Sequence, residues 1–359
     1  MNIYWLWLAK LPGIGPVTAN KLIEYFSTPK DIYNAKEQEL AKILKPAQIK
    51  SVMKERNLDK IEKEWNRLDE KKIRFIHRGS IEYPKRFKVL LDAPVGFYLK
   101  GSMPEESKRS IAIVGARNAS AYGMEMALYF SKSLAKAGVN IISGLAYGID
   151  KQAHLGALES GGYTMGVLGC GINICYPREH YTLFEKMQSA GGVLSEFPLD
   201  ENPKAGNFPM RNRLISALSD GVLVVEAREK SGSLITVEFA LEQGKDVFAV
   251  PGRLRDTNSS GCNRLIQEGA KLVMEPKDVL DEYGISDSFT YNELKNVENN
   301  LALKEKMVYS VLSLEAKFVD EIVESTSLSV QETLSALFAL ELKGYVKQVV
   351  KNYYIKSVE

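Results

Sequence analysis

The strongest constraint on this chain is a change of rhythm at Ser110. From there to Met274, short apolar runs alternate with longer segments of helical periodicity. The apolar runs fall at 110–114, 140–142, 163–168, 192–194, 222–225, 246–250 and 271–274, with helices fitting between most of them at 123–137, 150–159, 181–189, 212–218 and 234–243. Strands that are apolar throughout, and not alternately, are buried on both faces. Strands alternating with helices are the signature of βαβ units and a parallel sheet. The expected fold class is therefore α/β, with a doubly wound, Rossmann-like parallel sheet.

In such a sheet, ligands bind beyond the carboxyl ends of the strands, so the residues that follow each strand carry the candidate chemistry. The first strand runs into Gly115, Ala116, Arg117, Asn118, Ala119 and Ser120, the second into Ser143 and Gly144, and the third into Gly169. The fifth runs through Glu226 to Lys230, Ser231, Gly232 and Ser233, directly before a helix. Glycine admits close backbone approach, serine offers a hydroxyl, and a helix N-terminus adds partial positive charge, which together suit phosphate. Tight turns that serve packing alone are the other reading of these glycines. Neither G-x-G-x-x-G nor G-x-x-x-x-G-K-[ST] occurs, so no dinucleotide or ATP cofactor is expected.

A further stretch interleaves an aromatic ring with cations ahead of a helix: Lys204, Phe208, Arg211, Asn212 and Arg213. Cations meet phosphates, and a flat ring offers a stacking face to an unpaired base. Alternatively Phe208 caps the core and one of the two arginines pairs with an acid such as Asp220 or Glu226. Asp150 and His154, at i and i+4, lack the companions of an acid–base pair and are expected to make structural hydrogen bonds. Three cysteines (Cys170, Cys175, Cys262) and three scattered histidines fit reduced thiols in a cytoplasmic protein and no metal site.

The flanks differ from this middle. Residues 1–109 carry 22 Lys and Arg against 14 Asp and Glu, although the whole chain has a formal charge of only +2. That basic excess suits a polyanion or serves solubility. Its helical periodicity is broken by Leu11-Pro-Gly-Ile-Gly15, a helix-hairpin-helix signature that either presents backbone N–H groups to a phosphate or serves packing alone. The apolar 3–9 stretch is too short for a signal-peptide core or a membrane span and is expected to be a helix. Acidic, polar residues from Pro276 to about Asn300 suggest a linker. Beyond them, helical patterns at 304–313, 318–324 and 330–342 precede hairpin strands at 345–349 and 353–355, which is winged-helix order. The expected division is a helical domain over 1–75, the Rossmann-like domain over 76–283, a linker over 284–300 and a winged helix over 301–359.

The runs IAIVGARNASAYG, ISGLAYGIDKQAHLGAL, VLGCGINICYPREH, NFPMRNRLISALSDGVLVVEAREKSGSLIT and VFAVPG resemble the bacterial DNA-processing protein A (DprA, or Smf) family. The N-terminal part is similar to that family's sterile-alpha-motif-like extension, and the C-terminal part to its winged-helix domain. The resemblance implies a homodimer that binds and protects single-stranded DNA and loads a RecA-type recombinase onto it in natural transformation. It implies a DNA-binding role for Arg117, and for Lys204 and Phe208 ahead of the Arg211-Asn212-Arg213 run. The strand-end rule adds Gly115, Ser120, Ser143, Gly144, Gly169 and 230–233.

An enzyme of the same sheet variety is the competing reading. The chain is also similar to nucleoside-monophosphate phosphoribohydrolases, which carry P-G-G-x-G-T-x-x-E. Aligned on Thr236, Phe239 occupies the glutamate position and Glu238 lies one residue away, about 100° around a helix. The winged helix as a duplex reader is disfavoured by charge: its recognition segment has Glu332 and Glu341 against Lys343 alone.

Overall fold

A computed structural model describes residues 2–285 and 301–357. Its centre is a nine-stranded sheet: β1 Arg74–His77, β2 Gly96–Gly101, β3 Ser110–Val114, β4 Asn140–Ser143, β5 Thr164–Leu168, β6 Gly192–Ser195, β7 Gly221–Val224, β8 Asp246–Ala249 and β9 Lys271–Leu272. The spatial order is β1-β2-β6-β5-β4-β3-β7-β8-β9. From β6 to β9 all neighbours are parallel. Every residue of β3, β4, β5, β6 and β7 is buried, which is why these strands read as unbroken apolar runs.

β1 and β2 extend the sheet antiparallel at one edge, with Arg74 opposite Leu99 and Tyr98 opposite Ser195. The sequence pattern places no strand there, because these residues follow a stretch of helical periodicity and precede the regular alternation that starts at Ser110. The chain order reverses between β3 and β7: β4, β5 and β6 build out one way, β7, β8 and β9 the other. A crevice opens at that reversal.

Ahead of the sheet, helices Asn2–Ala9, Pro16–Phe26, Pro29–Asn34, Pro46–Lys54 and Leu58–Glu70 enclose Trp7, Leu8, Leu11, Leu22, Ile32 and Val52. Between the first two, Gly13 adopts φ +76°, a conformation that favours glycine. The carbonyls of that turn accept hydrogen bonds from Ser51 Oγ (2.7 Å, to Pro12) and Gln48 Nε2 (3.0 Å, to Gly13). The LPGIG turn is thereby tied to helix Pro46–Lys54.

The polar stretch after Met274 differs at its start from the expected linker. Pro276–Glu282 is a helix that buries Val279 and Leu280. Pro276 supplies its first turn, and the Asp278 carboxylate accepts the N–H groups of Met274 and Glu275 at 2.7 and 3.0 Å. Acidity at a helix N-terminus is a capping signal as much as a linker signal. Residues 286–300, most of the expected linker, lie outside the described residues.

From 301 onward, helices Leu303–Val311, Val319–Thr326 and Val330–Leu342 pack around Val308, Ile322, Leu337 and Leu340. A three-stranded sheet of β10 Lys317–Phe318, β12 Tyr353–Lys356 and β11 Val346–Val350, in that order, completes a winged helix. No described helix is long and apolar enough to cross a membrane.

Candidate nucleic-acid interface

The crevice at the strand reversal is an open cleft of about 440 Å³. One wall is the loop after β3, with Gly115, Arg117 and Asn118. A second is the start of helix Asn207–Ala217, with Phe208, Arg211 and Asn212. The third is the turn after β7, from Arg228 through 230–233. The two latter walls are tied by Asn212, whose amide donates to the Gly232 carbonyl at 3.3 Å. Gly115 is required by packing: a Cβ there would lie 2.6 Å from Ile149 Cγ1 and 2.7 Å from the Glu226 carbonyl. A Cβ on Gly232 would meet nothing within 4 Å. The rim of the turn is open, and a ligand can reach its backbone.

Arg117 and Lys230 are exposed and make no ion pair among the described residues. The Arg117 guanidinium lies 5.3 Å from the centroid of the Phe208 ring. That ring also contacts Tyr176 at 5.6 Å between centroids. Gly169 is the seat of the ring, since a Cβ there would come within 2.7 Å of Phe208 Cδ1. Ser231 and Ser233 share a hydrogen bond at 2.8 Å between their hydroxyls, at the start of helix Leu234–Glu242, whose first turn has no side-chain cap. The cleft therefore combines Arg117, Arg228 and Lys230, none in an ion pair among the described residues, with an aromatic surface and hydroxyls, a set that matches a phosphate backbone carrying exposed bases.

Other candidates have different roles. Arg211 and Arg213 are both buried, each 4% exposed, and neither partner expected from sequence is the real one. Arg211 Nη1 donates to the carbonyls of Gly144 (2.8 Å) and Val167, beside the Asp150 carboxylate. Arg211 still lines the cleft, its guanidinium 6.0 Å from the Phe208 ring centroid. Arg213 bridges Asp92 at 3.0 Å and Glu196 at 2.5 Å, away from the cleft. Asp220 instead binds Arg86 and Arg109, and Glu226 binds Ser120. Successive charged residues on a helix diverge by about 100°, and their partners come from segments remote in sequence.

Ser120 caps helix Ala121–Lys136 through Gly123 N–H (3.0 Å) and holds the Glu226 carboxylate, outside the cleft. Ser143 is buried and donates to the Ile113 carbonyl at 2.7 Å. Gly144 donates its N–H to Asp150 and leaves room for Arg211, whose guanidinium would lie 2.6 Å from a Cβ there. Lys204 is exposed and pairs with Glu201 at 2.5 Å, so that Ala205 lines the cleft in its place. Arg228, which does line it, lies four residues past the end of β7 and was within reach of the strand-end rule. Tyr176 was not: its place beside Phe208 depends on a loop folding back.

Asp150 and His154 are structural, as expected. Asp150 accepts the N–H groups of Gly144 and Ala146 at 3.1 and 3.4 Å, and burial raises its carboxyl above the ordinary range against the pull of Arg211. His154 is fully buried between Thr164 Oγ1 (2.7 Å) and the Leu145 N–H (3.3 Å), and burial pushes its imidazole down to about 3. It is neutral when folded but takes up a proton near pH 6.5 when unfolded. Its contribution to stability is therefore complete above about pH 6.5 and is lost as pH falls toward 3. Urea melts across that window should show this loss in the native chain and a flatter profile in His154→Gln. Equal slopes would contradict a neutral, buried imidazole.

Comparison with known proteins bears on what this cleft is. The family model described as DNA recombination-mediator protein A matches residues 74–284, spanning the sheet and the cleft. The chain belongs to that family. The DprA winged helix domain matches 295–350, and a SAM-like helix-hairpin-helix tandem matches 8–57. Protein Smf of Escherichia coli (strain K12) is 40% identical over 76% of this chain and 74% of its own length. DNA processing protein DprA of Bacillus subtilis (strain 168) is 44% identical over 59% of this chain and 72% of its own. The crystal structure of DprA from Streptococcus pneumoniae superposes with a TM-score of 0.71 at 35% identity, covering 79% of this chain and 98% of that one. A Helicobacter pylori DprA structure, described for its single-stranded DNA binding mode, gives 0.52 at 30% identity over 58% of this chain and 95% of that one. The recombination-mediator model thus covers the sheet, and the other two models cover parts of the flanking modules.

Proposed function

We propose that this chain binds single-stranded DNA through the strand-end cleft, protects it, and passes it to a RecA-type recombinase during recombination or transformation. The observation that carries this reading is Arg117, exposed, without an ion pair and held over the Phe208 ring, in one cleft with Lys230 and the 231–233 turn. Membership of the family and the subject of the Helicobacter pylori structure support the choice of ligand. Action as a homodimer in the cytoplasm belongs to the same proposal and rests on the family resemblance and on cysteines suited to a reducing compartment.

The phosphoribohydrolase reading lacks its carboxylate. Glu238 is exposed and off the cleft, and Phe239 stands at the aligned position. Among the described residues lining the cleft, the one carboxylate is Asp150, already bonded to two backbone N–H groups.

The test is fluorescence anisotropy with a labelled oligothymidylate and a duplex of equal length, across a salt series. The expected result is at least about tenfold tighter binding to the single strand, with affinity falling steeply as salt rises. Equal affinity for the duplex would overturn the proposal.

A further inference from the structure

A second concavity adjoins the first, and Arg228 lines both. It measures about 1320 Å³, larger than the roughly 300–1,000 Å³ of a small-molecule pocket, and is shaped for a chain more than for a metabolite. Its floor is the 251–259 loop after β8, and its far wall is the 312–316 turn of the winged helix together with Lys356. The partition between the two spaces is a relay of amides. Arg228 Nε donates to Asn258 Oδ1 at 2.9 Å, and Asn258 Nδ2 donates to the Asn118 carbonyl at 3.1 Å. The loops after β3, β7 and β8 are thus joined in one continuous rim.

The charge of this trough is cationic where it is open. Arg253 and Arg255 flank Leu254, which is 90% exposed, so the tip of the loop stands clear of the body. Arg255 makes no ion pair among the described residues. Lys356 closes the far end, its Nζ 4.4 Å from the Tyr309 ring centroid. Of the carboxylates, Glu226 is buried against Ser120, Glu315 is neutralised by Arg253, and only Asp256 is exposed without an ion pair among the described residues.

We propose that this trough is a second nucleic-acid subsite, in which the strand held at Arg117 continues past Arg228 and lays its phosphates along Arg255 toward Lys356. The inference rests on the first cleft binding single-stranded DNA. Glu315 pairs with Arg253, and an incoming phosphate competes with it for that guanidinium.

Oligothymidylates of about 6 and about 20 nucleotides separate the two sites, since the short one is matched to a single site and the long one can span both. Binding is followed by anisotropy over a salt series with the full chain and its variants. The long strand is expected to bind the native chain tighter than the short one. Arg255→Ala should weaken the long strand about five- to tenfold and lower its salt slope by about 1, while the short strand changes less than about twofold. Glu315→Ala, which frees Arg253, should leave long-strand binding unchanged or tighter. The proposal is overturned if Arg255→Ala affects both lengths equally or neither, or if Glu315→Ala weakens the long strand as Arg253→Ala does. That last outcome would make the loop a dock for the winged helix. Absence of binding by both lengths would instead remove the first-cleft reading and this one with it.

Discussion

Arg211→Met is expected to destabilise the sheet domain by about 3–5 kcal/mol, the range for stripping one partner from a buried ionic cluster. The guanidinium holds the Gly144 and Val167 carbonyls and neutralises Asp150, itself 7% exposed. Methionine fills the volume but leaves an unpaired carboxylate and two orphaned acceptors. The first unfolding transition of the full chain in urea reads this directly. The deficit should also depend on pH in a defined direction. Burial already raises the Asp150 carboxyl, and removing Arg211 takes away an opposing pull. The folded variant therefore binds a proton more tightly than its unfolded chain, and its stability relative to the native chain recovers as pH is lowered through the raised carboxyl's titration. If Arg211 were chiefly a DNA contact, the variant would keep native stability and lose only binding.

Arg117→Glu should produce the converse: native stability with single-strand affinity reduced by about 100-fold or more at low salt, because a phosphate-facing cation becomes a repelling charge. Arg117 is exposed and has no ion pair among the described residues, so its replacement leaves no buried group unpaired. Combining Arg117→Ala with Lys230→Ala should lower the salt slope by about 2, one for each phosphate contact. A slope unchanged by the double replacement would place the phosphates elsewhere on the molecule.

These two variants divide what the sequence pattern could and could not resolve at the site. Arg117, Phe208 and 230–233 were legible because each follows a rule of local position: a residue just past a parallel strand, or at the start of a helix that points at the strand ends. Arg211 and Arg213 obey the same local rule and have different roles. Their neighbours are Asp150, Asp92 and Glu196, contributed by three other segments. Ser120 and Ser143 likewise follow strands, yet their hydroxyls are taken by Glu226 and the Ile113 carbonyl. Lys204 pairs with Glu201, three residues away in an irregular segment. Which cations near the strand ends are left unpaired depends on acids contributed by other segments.

For the fold, the seven parallel strands, five of the six helices between them and the winged helix were determined by the sequence alone, because apolar periodicity reports burial directly; helix Ser260–Gln267 was not among those expected. The antiparallel pair β1 and β2 and the packed helix Pro276–Glu282 were decided by tertiary structure: the strands follow a stretch of helical periodicity, the helix lies in a polar stretch, and each is held by its neighbours. The same division runs through the cleft. Local sequence determined where glycine, serine and arginine would meet at the reversal between β3 and β7. Only the folded chain decided which of those arginines remained unpaired, because a guanidinium in a dense interior is claimed by whichever carboxylates and carbonyls the packing brings against it.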